Sequence, residues 1–98
     1  MNIADYVRRH KAWSFGTFGK GQRTTGLIKH IRKELEEVEA EPDKLSEWCD
    51  IIILAIDGAW RRGYTAQQIE DALVEKQEIN MARKWNVNND DTPNEHVR

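Results

Sequence analysis

Residues 27–58 of this 98-residue chain read LIKHIRKELEEVEAEPDKLSEWCDIIILAIDG and contain its strongest pattern. Before Pro42, apolar side chains recur at the spacing of one helix face, at Leu27, Ile28, Ile31, Leu35 and Val38. After Pro42, the run Ile51–Ile56 is apolar on all sides for nearly two helical turns, which is typical of a central helix. Because proline interrupts a helix, this stretch predicts two antiparallel helices joined by a short turn.

The bounds of these two helices follow from their capping residues. The first is expected to run from Thr24 or Thr25 to Ala40, and the second from an N-cap at Asp43 to a terminal glycine at Gly63. Strand patterns are absent from the sequence, so the predicted fold class is all-α.

One further helix is predicted on each side of the hairpin. The N-terminal one runs from about residue 2 to residue 13 and ends before Ser14–Gly21, SFGTFGKG, whose three glycines favour a loop. The C-terminal one begins at Thr65, where Gln68 completes a weak capping box, and runs toward Trp85.

The domain organisation follows from where these patterns stop. Residues 1–85 are predicted to form one helical domain. Residues 86–98 lack periodicity and are rich in Asn, Asp and Pro, and we predict that they form a disordered tail.

The composition excludes several classes of protein. The formal net charge is −2, which argues against a protein that coats nucleic acid or an anionic membrane. The sequence contains no apolar stretch of membrane-spanning length and no apolar signal core, and its one cysteine cannot form an internal disulfide. We therefore expect a protein of a reducing compartment, the cytoplasm, without a membrane partner.

The small net charge conceals a strong separation of charge along the chain. Residues 1–33 contain eight Lys and Arg residues and one acid, whereas residues 34–50 contain eight acids and one lysine. Within the acidic segment, Glu34 and Glu37 share one helix face, and Glu47 and Asp50 share another. The two pairs are related by a mirror point at Pro42, so an antiparallel hairpin brings them to matching heights.

Four facing carboxylates repel one another unless cations neutralise them, and oxygen ligands suit Mg²⁺ or Mn²⁺. Asp57, two turns beyond Asp50, lies on roughly the same face and could extend such a site. The competing interpretation is a solvated acidic helix face, which is the usual meaning of a run such as KELEEVEAE. Against it, Asp50 opens directly into the apolar run, where an unpaired acid is costly.

The spacing Glu34-x-x-Glu37 followed by Glu47-x-x-Asp50 resembles the metal-binding signature of the MazG-like, all-α nucleoside triphosphate pyrophosphohydrolases. The words HIRKELEEVEAEP, LSEWCDIIILAIDGAWRRG and KQEINMARKW resemble more closely the small dATP/dGTP diphosphohydrolases, the MazZ-type branch that includes phage enzymes. The resemblance covers about residues 13–85. One departure is the short interval of nine residues between Glu37 and Glu47, which demands a tight turn.

The resemblance implies an activity and a set of site residues. The four carboxylates would hold Mg²⁺ or Mn²⁺, and a metal-activated water would attack the triphosphate of a dNTP to give dNMP and pyrophosphate. The resemblance to this branch also implies purine substrates, dATP and dGTP. The expected substrate-binding residues are Lys76, Asn80 and Arg83 on one face of the last helix, with Phe15, Lys20, His30, Lys33 and Asp57. For the last-helix residues a solvated face is the alternative. For Phe15 the alternative is that its ring covers the hydrophobic core. For His30 the alternative is a structural role beside Glu34.

The central apolar helix also bears on assembly, because so small a monomer cannot cover it on all sides. We expect a homodimer built on a four-helix core, or a homotetramer, in a bacterial or phage-infected cell. The alternative function is a non-catalytic helical dimer, a binding or regulatory module whose acidic hairpin face meets a basic partner.

Overall fold

A computed structural model describes residues 1–97 and contains four helices. They are α1 (Ile3–Phe18), α2 (Thr24–Ala40), α3 (Leu45–Arg61) and α4 (Ala66–Ala82). The described residues form no β-sheet, and their only bridge joins Trp85 to His96. The predicted all-α class is therefore confirmed.

The helices pack as two pairs, α2 with α3 and α1 with α4, and the two pairs meet through α3. α2 lies along α3 as the predicted hairpin, and α1 lies against α4 and against α3. The buried core is at the junction of α1, α3 and α4, around Val7, Trp60 and Ile69. α2 has no packing contact with α1 or α4, so a cleft is left between α1 and the hairpin.

The turn between α2 and α3 differs from the sequence prediction in its capping residue. α3 begins after Lys44, and no side chain caps its first turn, so the prediction of an N-cap at Asp43 was wrong. The physical reason is a reverse turn in which the Lys44 amide donates to the Glu41 carbonyl at 3.1 Å. Pro42 and Asp43 occupy the two central positions of this turn, and proline favours the first of them.

The predicted loop at Ser14–Gly21 was wrong over its first five residues. α1 continues through this segment to Phe18 and ends at Gly19, whose φ of +84° is in the left-handed region that glycine tolerates. A mid-helix glycine such as Gly16 costs about 1 kcal/mol relative to alanine. Here the buried Ser14, which bonds to α3, compensates for that cost.

The other helix ends agree with their predicted signals. Thr65 and Gln68 form the capping box of α4, with the Gln68 amide donating to the Thr65 hydroxyl. Gly63 follows α3 with a φ of +100°, as a glycine after a helix commonly does. None of the helices, over the residues described, has both the length and the apolar character needed to cross a bilayer.

The segment after α4 turns back on itself. The Asn86 amide donates to the Glu95 carbonyl at 2.9 Å, and the Val97 amide donates to the Lys84 carbonyl. Its hydrogen bonds fall within the segment and to the end of α4, and its side chains are almost all exposed. The expectation of a disordered tail over residues 86–98 stays a prediction, and its last residue, Arg98, is outside the described part.

Candidate functional site

Four carboxylates meet at the middle of the α2–α3 hairpin. Glu34 and Glu37 come from α2, and Glu47 and Asp50 come from α3. One oxygen from each can be chosen so that all four lie within 4.8 Å of one another. The pairs face each other because the helices are antiparallel about the Pro42 turn, so the four oxygens form a compact set of possible metal ligands.

Two of these oxygens are buried without a partner. Glu34 is 8% exposed, and its Oε2 atom has no hydrogen-bond donor in the described structure, nor does Oε2 of Glu47. An unsatisfied buried acceptor costs about 1–3 kcal/mol, and more when it is charged. A divalent cation between the four carboxylates would satisfy both atoms. The donor set, which consists of oxygens alone, fits Mg²⁺ or Mn²⁺.

The same helices carry acids that take no part in the cluster. Glu36, Glu39 and Glu41 are exposed, so they form the solvated portion of the acidic segment. Lys44 lies 3.6 Å from Oε1 of Glu47 and 3.7 Å from Oε2 of Glu41, at the solvent edge. The acidic run therefore contains both an inward-facing cluster and an ordinary charged surface.

His30 adjoins the cluster one helical turn before Glu34. Its Nε2 atom lies 3.1 Å from Oε1 of Glu34, and its side chain is half exposed. This contact engages Oε1 of Glu34, whereas Oε2 is the atom that is buried without a donor. His30 is therefore in position to orient Glu34.

A cleft of about 700 Å³ extends from the carboxylates along α1. Glu34 and Asp50 line one end of it, and Trp13, Phe18 and Arg23 line the other. Its volume is within the range of about 300–1,000 Å³ that small-molecule sites occupy. A ligand in this cleft would contact acidic and aromatic side chains at the same time.

Asp57 is placed differently from a metal ligand. It is 5% exposed, and its Oδ1 atom accepts hydrogen bonds from Ser14 at 2.6 Å, His10 at 2.9 Å and Trp60 at 3.1 Å. Its Oδ2 atom accepts from Nε of Arg61 at 2.7 Å. Both oxygens are thus already engaged, and Asp57 lines the cleft wall as part of this network.

The electrostatics of Asp57 follow from these partners. Burial is the largest single influence on the pKa of Asp57, and it raises that pKa. The hydrogen bonds from Ser14, Arg61 and His10 and the positive charge of Arg61 all lower the pKa, and together they outweigh burial. The pKa of Asp57 is therefore held below its usual value. Asp57 and Arg61 form a buried ion pair within α3, and their hydrogen bonds to His10 and Ser14 join α3 to α1.

Arg61 also fixes the connection between α1 and α2. Its Nη1 atom donates to the carbonyls of Gly19 and Gly21, at 2.8 and 2.9 Å, and its Nη2 atom donates to Ser14. The sequence analysis missed Arg61, Ser14 and His10. The i,i+4 spacing of Asp57 and Arg61 was a usable signal, but their partners on α1 and in the following turn lie 40 to 47 residues away along the chain.

The expected phosphate-binding residues lie away from the carboxylates within one chain. Lys76 and Asn80 line a separate open groove on α4, together with Ile3 and Trp85. Arg83 follows α4 and is exposed.

The remaining predicted substrate-binding residues lie at or beyond the edge of the cleft. Phe15, Lys20 and Lys33 are exposed, and none of the three is among the side chains that line it. Phe18, one helical turn after Phe15, does line it.

Known proteins resemble this chain both in sequence and in fold. The chain is 37% identical over 91 residues to the Eaa protein of Salmonella phage P22, a match that spans 93% of this chain but only 28% of that relative's length. It also superimposes on a cyanophage S-2L MazG-like pyrophosphohydrolase that was solved bound to dGDP and three catalytic Mn²⁺ ions per active site. That likeness has a TM-score of 0.77 at 26% identity and covers 100% of this chain and 99% of that one. The family model described as dATP/dGTP pyrophosphohydrolase matches residues 6–98. The chain belongs to the dATP/dGTP pyrophosphohydrolase family.

Proposed function

We propose that this protein is a divalent-metal-dependent pyrophosphohydrolase that converts purine dNTPs to dNMPs and pyrophosphate. The observation that carries the proposal is the carboxylate cluster, in which Glu34 and Glu47 each keep a buried oxygen without a donor. A cation bound between the carboxylates would offset the cost of burying these two charged oxygens. The metal ligands in this proposal are Glu34, Glu37, Glu47 and Asp50.

The chemistry assigned to each group follows from its position. Bound Mg²⁺ or Mn²⁺ would lower the pKa of a water molecule and neutralise charge on the phosphates. His30 orients Glu34 through the 3.1 Å contact. A carboxylate oxygen of the cluster that is not engaged by metal accepts the proton from the attacking water.

The substrate class rests on the family and on the cleft. The cyanophage relative holds dGDP and Mn²⁺, which supports a purine deoxynucleotide and a divalent metal for this chain too. A cleft of about 700 Å³ that begins at Glu34 and Asp50 accommodates a nucleoside extending away from its phosphates. Because dNTPs are cytoplasmic metabolites, the proposal also assigns the protein to the cytoplasm of a bacterial or phage-infected cell.

The proposed enzyme is a homodimer or homotetramer. On the hairpin, Ile28, Leu35, Trp48 and Ile52 are 43–57% exposed, although they are large and apolar. A second copy of the chain would cover this face by forming a four-helix core. It would also allow α4 of one copy to bring Lys76, Asn80 and Arg83 to the phosphates of another, since these residues lie apart from the carboxylates within one chain.

The proposal is tested by pyrophosphate release from the common dNTPs and NTPs in the presence of Mg²⁺ or Mn²⁺. We expect Glu37→Gln and Asp50→Asn to lower the rate by more than about 100-fold, beyond the 10–100-fold typical of residues that only support a metal ligand. Glu36→Gln and Glu39→Gln remove the same charge from exposed positions on the same helix and should leave the rate unchanged.

Two results would count against the proposed function. If no nucleotide releases pyrophosphate with either metal, the chain is not this enzyme. If hydrolysis occurs but survives Glu37→Gln and Asp50→Asn, the metal assignment is wrong. Binding of Mn²⁺ to each variant is measured by electron paramagnetic resonance and helix content by circular dichroism, so that loss of metal is separated from loss of folding.

A further inference from the structure

The end of the cleft away from the carboxylates is lined by aromatic side chains of α1. Trp13 and Phe18 lie edge to face, with ring centroids 5.5 Å apart and planes at 89°. They are 57% and 53% exposed, although both line the cleft. Such a right-angled pair leaves ring faces open to a flat ligand that enters the cleft.

The aromatic end is held rigidly from behind. Tyr6, His10 and Trp13 follow one another along α1 with centroids 6.3 and 6.0 Å apart. His10 is buried and bonds to Asp57, and Ser14, next to Trp13, bonds to the same carboxylate. The backbone that carries the exposed rings is therefore fixed before any ligand binds, which lowers the entropic cost of binding.

The charges of the cleft determine which part of a nucleotide fits each end. Glu34 and Asp50 line the other end, which the proposed function assigns to metal-bound phosphates. Of the described residues that line the cleft, Arg23 is the one Arg or Lys. It lies at the aromatic end, and its guanidinium carbon is 5.3 Å from the centre of the Phe18 ring. This end thus offers ring faces and one cation, a combination that suits an aromatic heterocycle.

We propose that Trp13 and Phe18 form the base subsite, in which the nucleobase stacks while its phosphates extend toward Glu34 and Asp50. This inference rests on the proposed function for its ligand class. It goes beyond the function by assigning base binding to two residues of α1 that carry none of the metal chemistry. Stacking of this kind contributes binding that tolerates several bases and depends on ring area, so it favours the larger purines.

The test measures binding of dGMP in the presence of Mg²⁺, by calorimetry and by quenching of tryptophan fluorescence. We expect dGMP to quench the wild type, and deoxyribose 5-phosphate and pyrophosphate, which have no base, to leave the emission unchanged. Trp13→Ala and Phe18→Ala should each weaken dGMP binding by roughly 5- to 150-fold, the range for loss of one stacked aromatic. Trp13→Phe should bind dGMP nearly as well as the wild type but lose the quenching.

Tyr64→Ala is the matched control, because Tyr64 is an aromatic residue as exposed as Trp13 and follows α3 outside the cleft. It should bind dGMP as the wild type does. Mn²⁺ binding should persist in all four variants, which shows that they fold. Wild-type affinity in both Trp13→Ala and Phe18→Ala, equal quenching by deoxyribose 5-phosphate, or no binding of dGMP to the wild type would each overturn the base subsite.

These results can be distinguished from failure of the proposed function. If dGMP binds as expected but no dNTP is hydrolysed, the base subsite stands and the activity does not. If dNTPs are hydrolysed and neither alanine variant changes KM, the activity stands and the base is bound elsewhere.

Discussion

The buried pair of Asp57 and Arg61 allows a quantitative prediction for Asp57→Asn. The Arg61 side chain is 1% exposed, and Asp57 supplies its one carboxylate partner. Asparagine keeps the shape but removes the charge, and its amide nitrogen cannot accept a hydrogen bond from Arg61. A buried charge that loses its partner costs about 3–5 kcal/mol, which is a large part of the 5–15 kcal/mol of a typical domain.

Urea denaturation at fixed protein concentration measures this loss. If the free energy of unfolding falls by about 1.5 kcal/mol per molar urea, the midpoint of the urea transition should fall by about 2–3 M. The matched control is Asp71→Asn, because Asp71 is exposed and accepts only from Gln67 one turn away. The double variant Asp57→Asn/Arg61→Met should recover part of the loss, since it removes the stranded cation. A loss below about 1 kcal/mol in the single variant would refute the reasoning.

The ion pair of Asp57 and Arg61 also determines how the stability of the fold changes as the pH is lowered. Because the pKa of Asp57 is lowered on folding, its contribution to stability is fully present above the unfolded value of about 3.9. It is lost as the pH falls through the folded pKa, below that value. Wild type should therefore lose more stability between pH 5 and pH 2 than Asp57→Asn does. Equal acid sensitivity of the two proteins would contradict the assignment.

Four further predictions concern the metal, the base, the assembly and the tail. Glu34→Gln should raise Tm in EDTA by about 4–8 °C, the equivalent of ~1 kcal/mol, and abolish the rise in Tm that Mn²⁺ gives the wild type, as measured by scanning calorimetry. Arg23→Gln should weaken dGMP binding by about 2- to 5-fold in calorimetric titrations, because it removes the one cation among the described residues that line the cleft, which lies over the Phe18 ring. Ile52→Glu should lower the mass of the particle measured by light scattering, whereas Val87→Glu, at an exposed tail position, should not. Deletion of residues 86–98 should leave Tm within about 2–4 °C, the shift that 0.5 kcal/mol gives, and protection of the tail amides from hydrogen exchange would argue against a disordered tail.

The sequence predicted those features that depend on neighbours along the chain. The hairpin and its mirror point follow from helix periodicity and Pro42, and the four carboxylates meet for the same reason. The extension of α1 through Gly16 could not be predicted from the neighbouring sequence. The hydrogen bonds from Ser14 to Asp57 and from Arg61 to Gly19 join residues that are more than 40 positions apart in the chain.

The candidate site shows the same division. The sequence indicated Phe15 as a substrate-binding residue, but the rotation of α1 places Phe18 rather than Phe15 in the cleft lining. Lys76 lies in a separate groove from the carboxylates, since α4 packs against α1 and α3 and not against α2. A single sequence carries no signal for either arrangement.

The Asp57 network has a consequence for the length of the ligands that the cleft admits. Its two ends belong to different helices, with Trp13 on α1 and Glu34 on α2, and those helices do not pack against each other. Asp57 ties α1 to α3, while Arg61 ties down the glycines that connect α1 to α2. The network therefore fixes the distance between the aromatic end of the cleft and its carboxylates, and this distance sets how long a ligand must be to contact both.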